Sequence, residues 1–274
     1  MIAAMPRLAP CALLLVAMAA GPAAAAGQSV DHLGDARRLY NRQLFEMAIR
    51  AASEARDAGE RPNEAALIIA RSHLERFRQT RDAQNLTAAR EALRGIDASE
   101  LTDAMRTEFA LAMGQWLFLD DRFPAAAEFF EGVIGRVEPL GLAARDRVLD
   151  WWATAIDRQA QVDPSNRWSL HRRILERMEE ELRFNPASTA ASYWVPAAAR
   201  SLGDVERAWH TAIAGYLRSR MAADSGPALR SDLDQLVTTA IIPERARALA
   251  GTGDPKPGAE AMAAEWEQLK SLWN

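Results

Sequence analysis

The sequence predicts an all-α fold, an array of packed helix pairs, and three observations predict it. Alanine, leucine, arginine and glutamate dominate the chain, and all four are strong helix formers. No stretch alternates apolar and polar residues with the valine, isoleucine and threonine enrichment of a strand. Breaks fall at Gly59–Pro62, Asp120-Asp121, Pro139–Gly141, Asp163-Pro164, Asn185-Pro186, Gly203-Asp204, Gly226-Pro227 and Gly251–Gly258. They leave segments of about 12 to 20 residues, ordinary lengths for globular helices.

The first element is expected to be removed. Arg7 precedes the apolar run from Cys11 to Ala20, and a small-residue stretch ends at Ala26. This is the pattern of a secretory signal peptide, residues 1–26, and implies export to the periplasm or beyond. The run is short of the roughly 20 apolar residues that a span needs, so no membrane span is expected in the mature chain. Cys11 precedes the apolar run rather than following it, which argues against lipidation. It is also the only cysteine, so cleavage excludes disulfides, thiolate nucleophiles and cysteine metal ligands. Losing Arg7 takes the net charge from −4 to −5. A weakly acidic chain has no bulk attraction for nucleic acid or anionic lipid.

Residues 27–222 read as the helical array. In GDARRLYNRQLFEMAIRAASEA, Ala36 and Leu39 are followed across a turn by Phe45, Ala48 and Ala52. The second unit has Ala70, then Leu86, Ala89 and Leu93. The third, MGQWLFLDDRFPAAAEFFEGVI, sets Gly114 before the Asp120-Asp121 turn and Phe123, Ala126 and Phe130 after it. Glycine inside a helix costs about 1 kcal/mol, so Gly114 is expected at a close helix crossing. Asp121 is a candidate N-cap, and Pro124 falls in the first turn that tolerates it. A fourth unit, VLDWWATAIDRQAQ with WSLHRRILERMEEEL, carries His171 where the small residue is expected. The fifth, SLGDVERAWHTAI, has Val205, Ala208 and Ala212. Ala48, Ala89, Ala126 and Ala208 stand 41, 37 and 82 residues apart, a repeat of about 40 with one unit between the last two. Residues 223–274 read as a C-terminal cap, with a linker near 251–258 and a last helix presenting Met262, Trp266, Leu269 and Trp273.

These units resemble tetratricopeptide repeats, most closely in MGQWLFLDDRFPAAAEFFEGVI, and the resemblance covers roughly Val30 to Met221. The second and fourth units depart from the pattern, with longer turns around RQTRDAQN and QVDPSNR. The chain is also similar to secreted bacterial repeat proteins. The resemblance implies a right-handed superhelix of about five helix pairs whose first helices line a concave groove that holds a protein or peptide.

Mapped onto this chain, the groove stripe is Arg37, Tyr40 and Asn41, then Arg71 and Leu74, then Leu111, Gln115 and Phe118, then Asp150, Thr154 and Asp157. Each group shares a helix face by its spacing. The stripe is expected to be basic at one end, apolar in the middle and acidic beyond. It lacks the basic and asparagine pairs with which some members of the family hold a terminal carboxylate.

Catalytic chemistry is sparse. His32, His73, His171 and His210 form no H-E-x-x-H pattern, and His171 beside Glu176 and Glu179 is the least poor metal candidate. There is no G-x-S-x-G elbow and no phosphate-binding glycine loop, so neither a cofactor nor a metal is expected. Asn85-Leu86-Thr87 reads as a helix start rather than a glycosylation site. Of the eight tryptophans, Trp151 and Trp152 are adjacent and cannot both face one groove. The expectation is a non-enzymatic interaction scaffold. An envelope enzyme or small-ligand binder built around His171 and carboxylates, and a purely structural envelope subunit, stay open.

Overall fold

The structure is a computed structural model that describes residues 31–136 and 141–273. The expected export segment and the break at Pro139 lie outside the described residues. Within them the chain is helical and contains no strand. Its α-helices are α1 (His32–Asn41), α2 (Phe45–Asp57), α3 (Pro62–Thr80), α4 (Ala83–Arg94), α5 (Asp103–Leu119), α6 (Phe123–Ile134) and α7 (Leu142–Val162). They continue with α8 (Arg167–Phe184), α9 (Thr189–Ser201), α10 (Val205–Arg218), α11 (Gly226–Leu236), α12 (Ile242–Ala250) and α13 (Lys256–Trp273).

Two compact units divide after Ala155, within α7. The expected boundary between repeats and cap, near residue 222, falls inside the second unit. In the first unit each helix packs on the next from α1 to α6, and α1 also packs on α3 and α3 on α5. Contact between alternate helices is what stacked pairs produce. The apolar faces explain it: Leu33, Ala36, Ala52, Ala55, Ala65 and Ile68 close one core region, and Leu67, Ala70, Leu74, Ala89, Leu93 and Ala112 the next.

The repeat register is visible in burial and in backbone. Ala48, Ala89, Ala126 and Ala208 are all completely buried. The turns inside the pairs repeat one geometry. Gln43, Asp121 and Gly203 each take positive φ, two residues before the second helix begins. The following N–H reaches back five residues: Leu44 to Leu39 at 3.0 Å, Arg122 to Leu117 at 2.8 Å and Asp204 to Ala199 at 3.0 Å. This is the left-handed cap with its six-to-one bond, which satisfies carbonyls orphaned at a helix end. Asp121 therefore closes α5 instead of capping α6, whose N-cap is Arg122 with no side-chain bond. In the second pair the left-handed residue is Arg81. Counted from that turn, Leu86 takes the place held elsewhere by alanine, and Ala89 lies one helical turn further on the same face.

Gly114 sits where expected. A Cβ there would stand 2.8 Å from Phe130 Cε1 and 3.2 Å from Phe129 Cβ. The glycine lets α5 and α6 meet, with Ala126 buried on the facing helix.

In the second unit α8, α9 and α10 pack in order, with α11 against α9 and α10 and α13 against α12. Pro196 inside α9 has no N–H, which leaves the Ser192 carbonyl without its helical donor. Gly215 of α10 closes on that carbonyl, and a Cβ there would lie 2.6 Å from the oxygen. Between α11 and α12, one π turn, Val237–Ile241, precedes Pro243 in the first turn of α12. α13 docks through Met262 and Trp266. The Trp266 indole lies against Trp209 and Tyr216, and donates to Asp234 at 2.8 Å. Lys270 reaches the same carboxylate at 2.7 Å. Trp273 is exposed, and Trp168 is more so.

Candidate functional site

The predicted stripe falls on α1, α3, α5 and α7, and the first unit brings those helices around a polar centre. Tyr40, Arg71, Leu74, Leu111 and Gln115 are buried, whereas Arg37, Asn41, Phe118, Asp150 and Thr154 stay half-buried. Asp157 lies past Ala155, in the second unit, where it faces His171 at 3.1 Å. The six half-buried residues are therefore divided between the units, five to one.

The expected basic end is neutralised. Arg71 is 3% exposed, pairs with Glu108 of α5 at 2.7 Å and lies over the Tyr40 ring at 4.7 Å. Arg37 pairs with Glu64 of α3, and Arg78 holds Glu75 at 3.0 Å while covering the Trp151 ring at 5.4 Å. Trp151 in turn packs on Phe130, and Phe130 on Phe118. Sequence spacing placed the arginines on this face but did not include the carboxylates that meet them. The missing signal was there: Glu75 and Arg78 extend the Arg71 stripe by four and seven residues, and Glu108 precedes Leu111 by three. Arg147 and Trp151 extend the Asp150 stripe in the same way.

Electrostatics follow burial. Burial raises the Tyr40 hydroxyl above its ordinary value, although Arg71 opposes this. For Arg71, burial works against the charge, but Tyr40, Glu108 and Glu75 outweigh it and hold the guanidinium above its usual value. Arg37 is lowered by burial and by Arg61, and Arg147 by burial and by Arg78. The centre thus holds several guanidiniums close together, balanced by three glutamates. A buried ion network of this kind fixes geometry more than it adds stability.

The other candidates resolve plainly. Asn85 is buried and bonded to His73 at 2.9 Å in the first turn of α4, so the sequon is a helix start. Burial holds His73 below the ordinary histidine value. His171 does not meet Glu176 or Glu179, which pair with Arg172 and Arg207. Among the described residues no group of three or more His, Cys, Asp or Glu side chains is placed to hold a metal ion. None of their helices is long and apolar enough to cross a membrane. A half-open cleft of about 180 Å³ beside α13 is walled by Trp209, Ile213, Trp266 and Leu269, with Glu265 and Gln268 as its polar groups. That is too few converging groups for a catalytic constellation.

Comparison with protein-family models, curated proteins and solved structures finds no match for this chain.

Proposed function

We propose that this chain is a non-enzymatic interaction scaffold, a tetratricopeptide-like right-handed superhelix that holds a peptide or partner protein along the face of α1, α3, α5 and α7. The observation that carries the reading lies on α1. Arg37 Nε and Asn41 Oδ1, a donor and an acceptor one helical turn apart, are closed off from solvent and have no hydrogen-bond partner. Buried polar atoms are nearly always paired, so these two atoms, on side chains that stay half-buried, are hydrogen-bonding capacity that a ligand engages once Arg37 and Asn41 turn outward. A peptide group, with its own C=O and N–H, supplies both partners at once. Phe118 and Trp151 add aromatic surface of the kind in which interface energy concentrates. The reading includes export of the mature chain after removal of residues 1–26, which places the scaffold in the bacterial envelope.

The experiment is site-specific photo-crosslinking in the intact envelope, with the probe at Asn41, at Phe118, or at Phe129, an exposed residue of α6. A discrete partner captured from Asn41 and Phe118 but not from Phe129 supports the proposal. Capture from Phe129 alone contradicts it.

A further inference from the structure

His171 lies on α8 with its imidazole almost wholly buried, and both ring nitrogens face acceptors. Nδ1 is 3.0 Å from the Arg167 carbonyl, one turn back on α8, and Nε2 is 3.1 Å from Asp157 Oδ1 on α7. A carbonyl and a carboxylate can only accept. A neutral imidazole carries one N–H and one lone pair, so it satisfies one of these neighbours and turns a lone pair on the other. The imidazolium donates to both.

We propose that His171 is a proton-operated latch between α7 and α8, closed by two donated bonds when the ring is protonated and reduced to one bond when it is neutral. Asp157 is the charged group that bonds to the ring. On α8, Arg167 turns its guanidinium to the Ala160 carbonyl and Arg172 turns to Glu176. In the connecting turn, Asp163 is held by Ser165 and Asn166. On α9, which packs against α8, Arg200 is engaged by Glu244 and Tyr193 packs on Trp194. Asp157 keeps its other oxygen for Gln161 at 2.8 Å and remains partly exposed, so protons can reach the pair from solvent.

When the proton leaves, one contact must go. Either Nε2 presents a lone pair to the carboxylate, or the tautomer changes and Nδ1 presents one to the Arg167 carbonyl. The consequence is local: the turn at 163–166, closed on one side by this pair, opens more often.

The test uses the full mature chain. Long-range proton–nitrogen correlation spectra give the protonation of each His171 nitrogen, with the signal assigned by H171Q. Amide exchange at residues 163–166, corrected for intrinsic rates, is followed from about pH 5.5 to 8. Wild-type protection there is expected to fall by on the order of threefold or more as the ring loses its proton. In Asp157→Asn the amide can rotate to donate to a neutral Nε2 or accept from its N–H, so the fall should be absent. H171Q, whose amide can donate to Asp157 at every pH, gives the same flat profile by a second route. Wild-type protection as flat as that of the variants would overturn the latch. So would a ring at pH 5.5 that keeps a bare nitrogen against Asp157.

Discussion

Replacing Gly114 with alanine sets two effects of known sign against each other. Inside a helix the change should be favourable by about 1 kcal/mol, because alanine gives up less backbone entropy. At this position, however, the new Cβ would stand 2.8 and 2.9 Å from two ring carbons of Phe130. Carbon atoms pack at about 3.5–4.0 Å, so the approach is nearly 1 Å too close. Phe130 is completely buried and held between Phe118 and Trp151, at ring distances of 6.4 and 5.7 Å, so it cannot swing away. Overpacking of this kind costs about 1–3 kcal/mol, which exceeds the helix gain. The net expectation is a loss of about 1 kcal/mol. Gly132 of α6 is the internal control: it is exposed, and nothing lies within 4 Å of its added Cβ. Gly132→Ala should therefore stabilise by about 0.5–1 kcal/mol. Urea denaturation midpoints of the two variants, with unchanged slopes, should move in opposite directions. Gly114→Ala as stable as Gly132→Ala would refute the close crossing of α5 and α6.

Ala126→Leu adds three carbons at a completely buried position and should cost about 1–3 kcal/mol in the same assay. Glu108→Ala leaves Arg71 buried with Glu75 and Tyr40 as its remaining partners, and should lower stability by about 3 kcal/mol, read as a shifted denaturation midpoint. The docking of α13 should be acid-sensitive. Burial works to raise Asp234, but bonds from Lys270 and Trp266 outweigh it and hold the carboxyl below its usual value. A depressed folded value contributes stability above about pH 4 and loses it as the pH falls through the folded value. Trp266 fluorescence should report release of α13 in acid, and Asp234→Asn should remove most of that pH dependence.

Several features of the fold could be read before any coordinates. Ala48, Ala126 and Ala208 and the small residue at 114 are local consequences of helix period and close packing, and they are buried as their spacing implies, whereas Ala89 is buried one turn beyond the place the register assigns it. Asp121 serves the other helix for a local reason: a left-handed residue followed by a bond five residues back closes the preceding helix. Spacing alone does not say which helix end a turn residue serves. The candidate face was legible as a stripe but not as a surface. Period shows that Tyr40 and Arg71 share a direction with Asn41 and Leu74. Whether α5 and α7 then cover them depends on how far the stack curls, which no single helix encodes. The carboxylates on the same stripes are not legible as partners, because a glutamate on a helix face ordinarily means solvent. The pairing of His171 with Asp157 lies across a turn of irregular length, and its geometry appears only when α7 and α8 are set against each other.

The claim that matters most is that partners are received by α1, α3, α5 and α7. Hydrogen–deuterium exchange of the chain, with and without the partner identified by crosslinking, is the decisive measurement. New protection is expected in peptides covering Arg37–Asn41, Glu108–Phe118 and Asp150–Thr154, with α2, α4 and α6 unchanged. Protection confined to α2, α4 and α6 would contradict it.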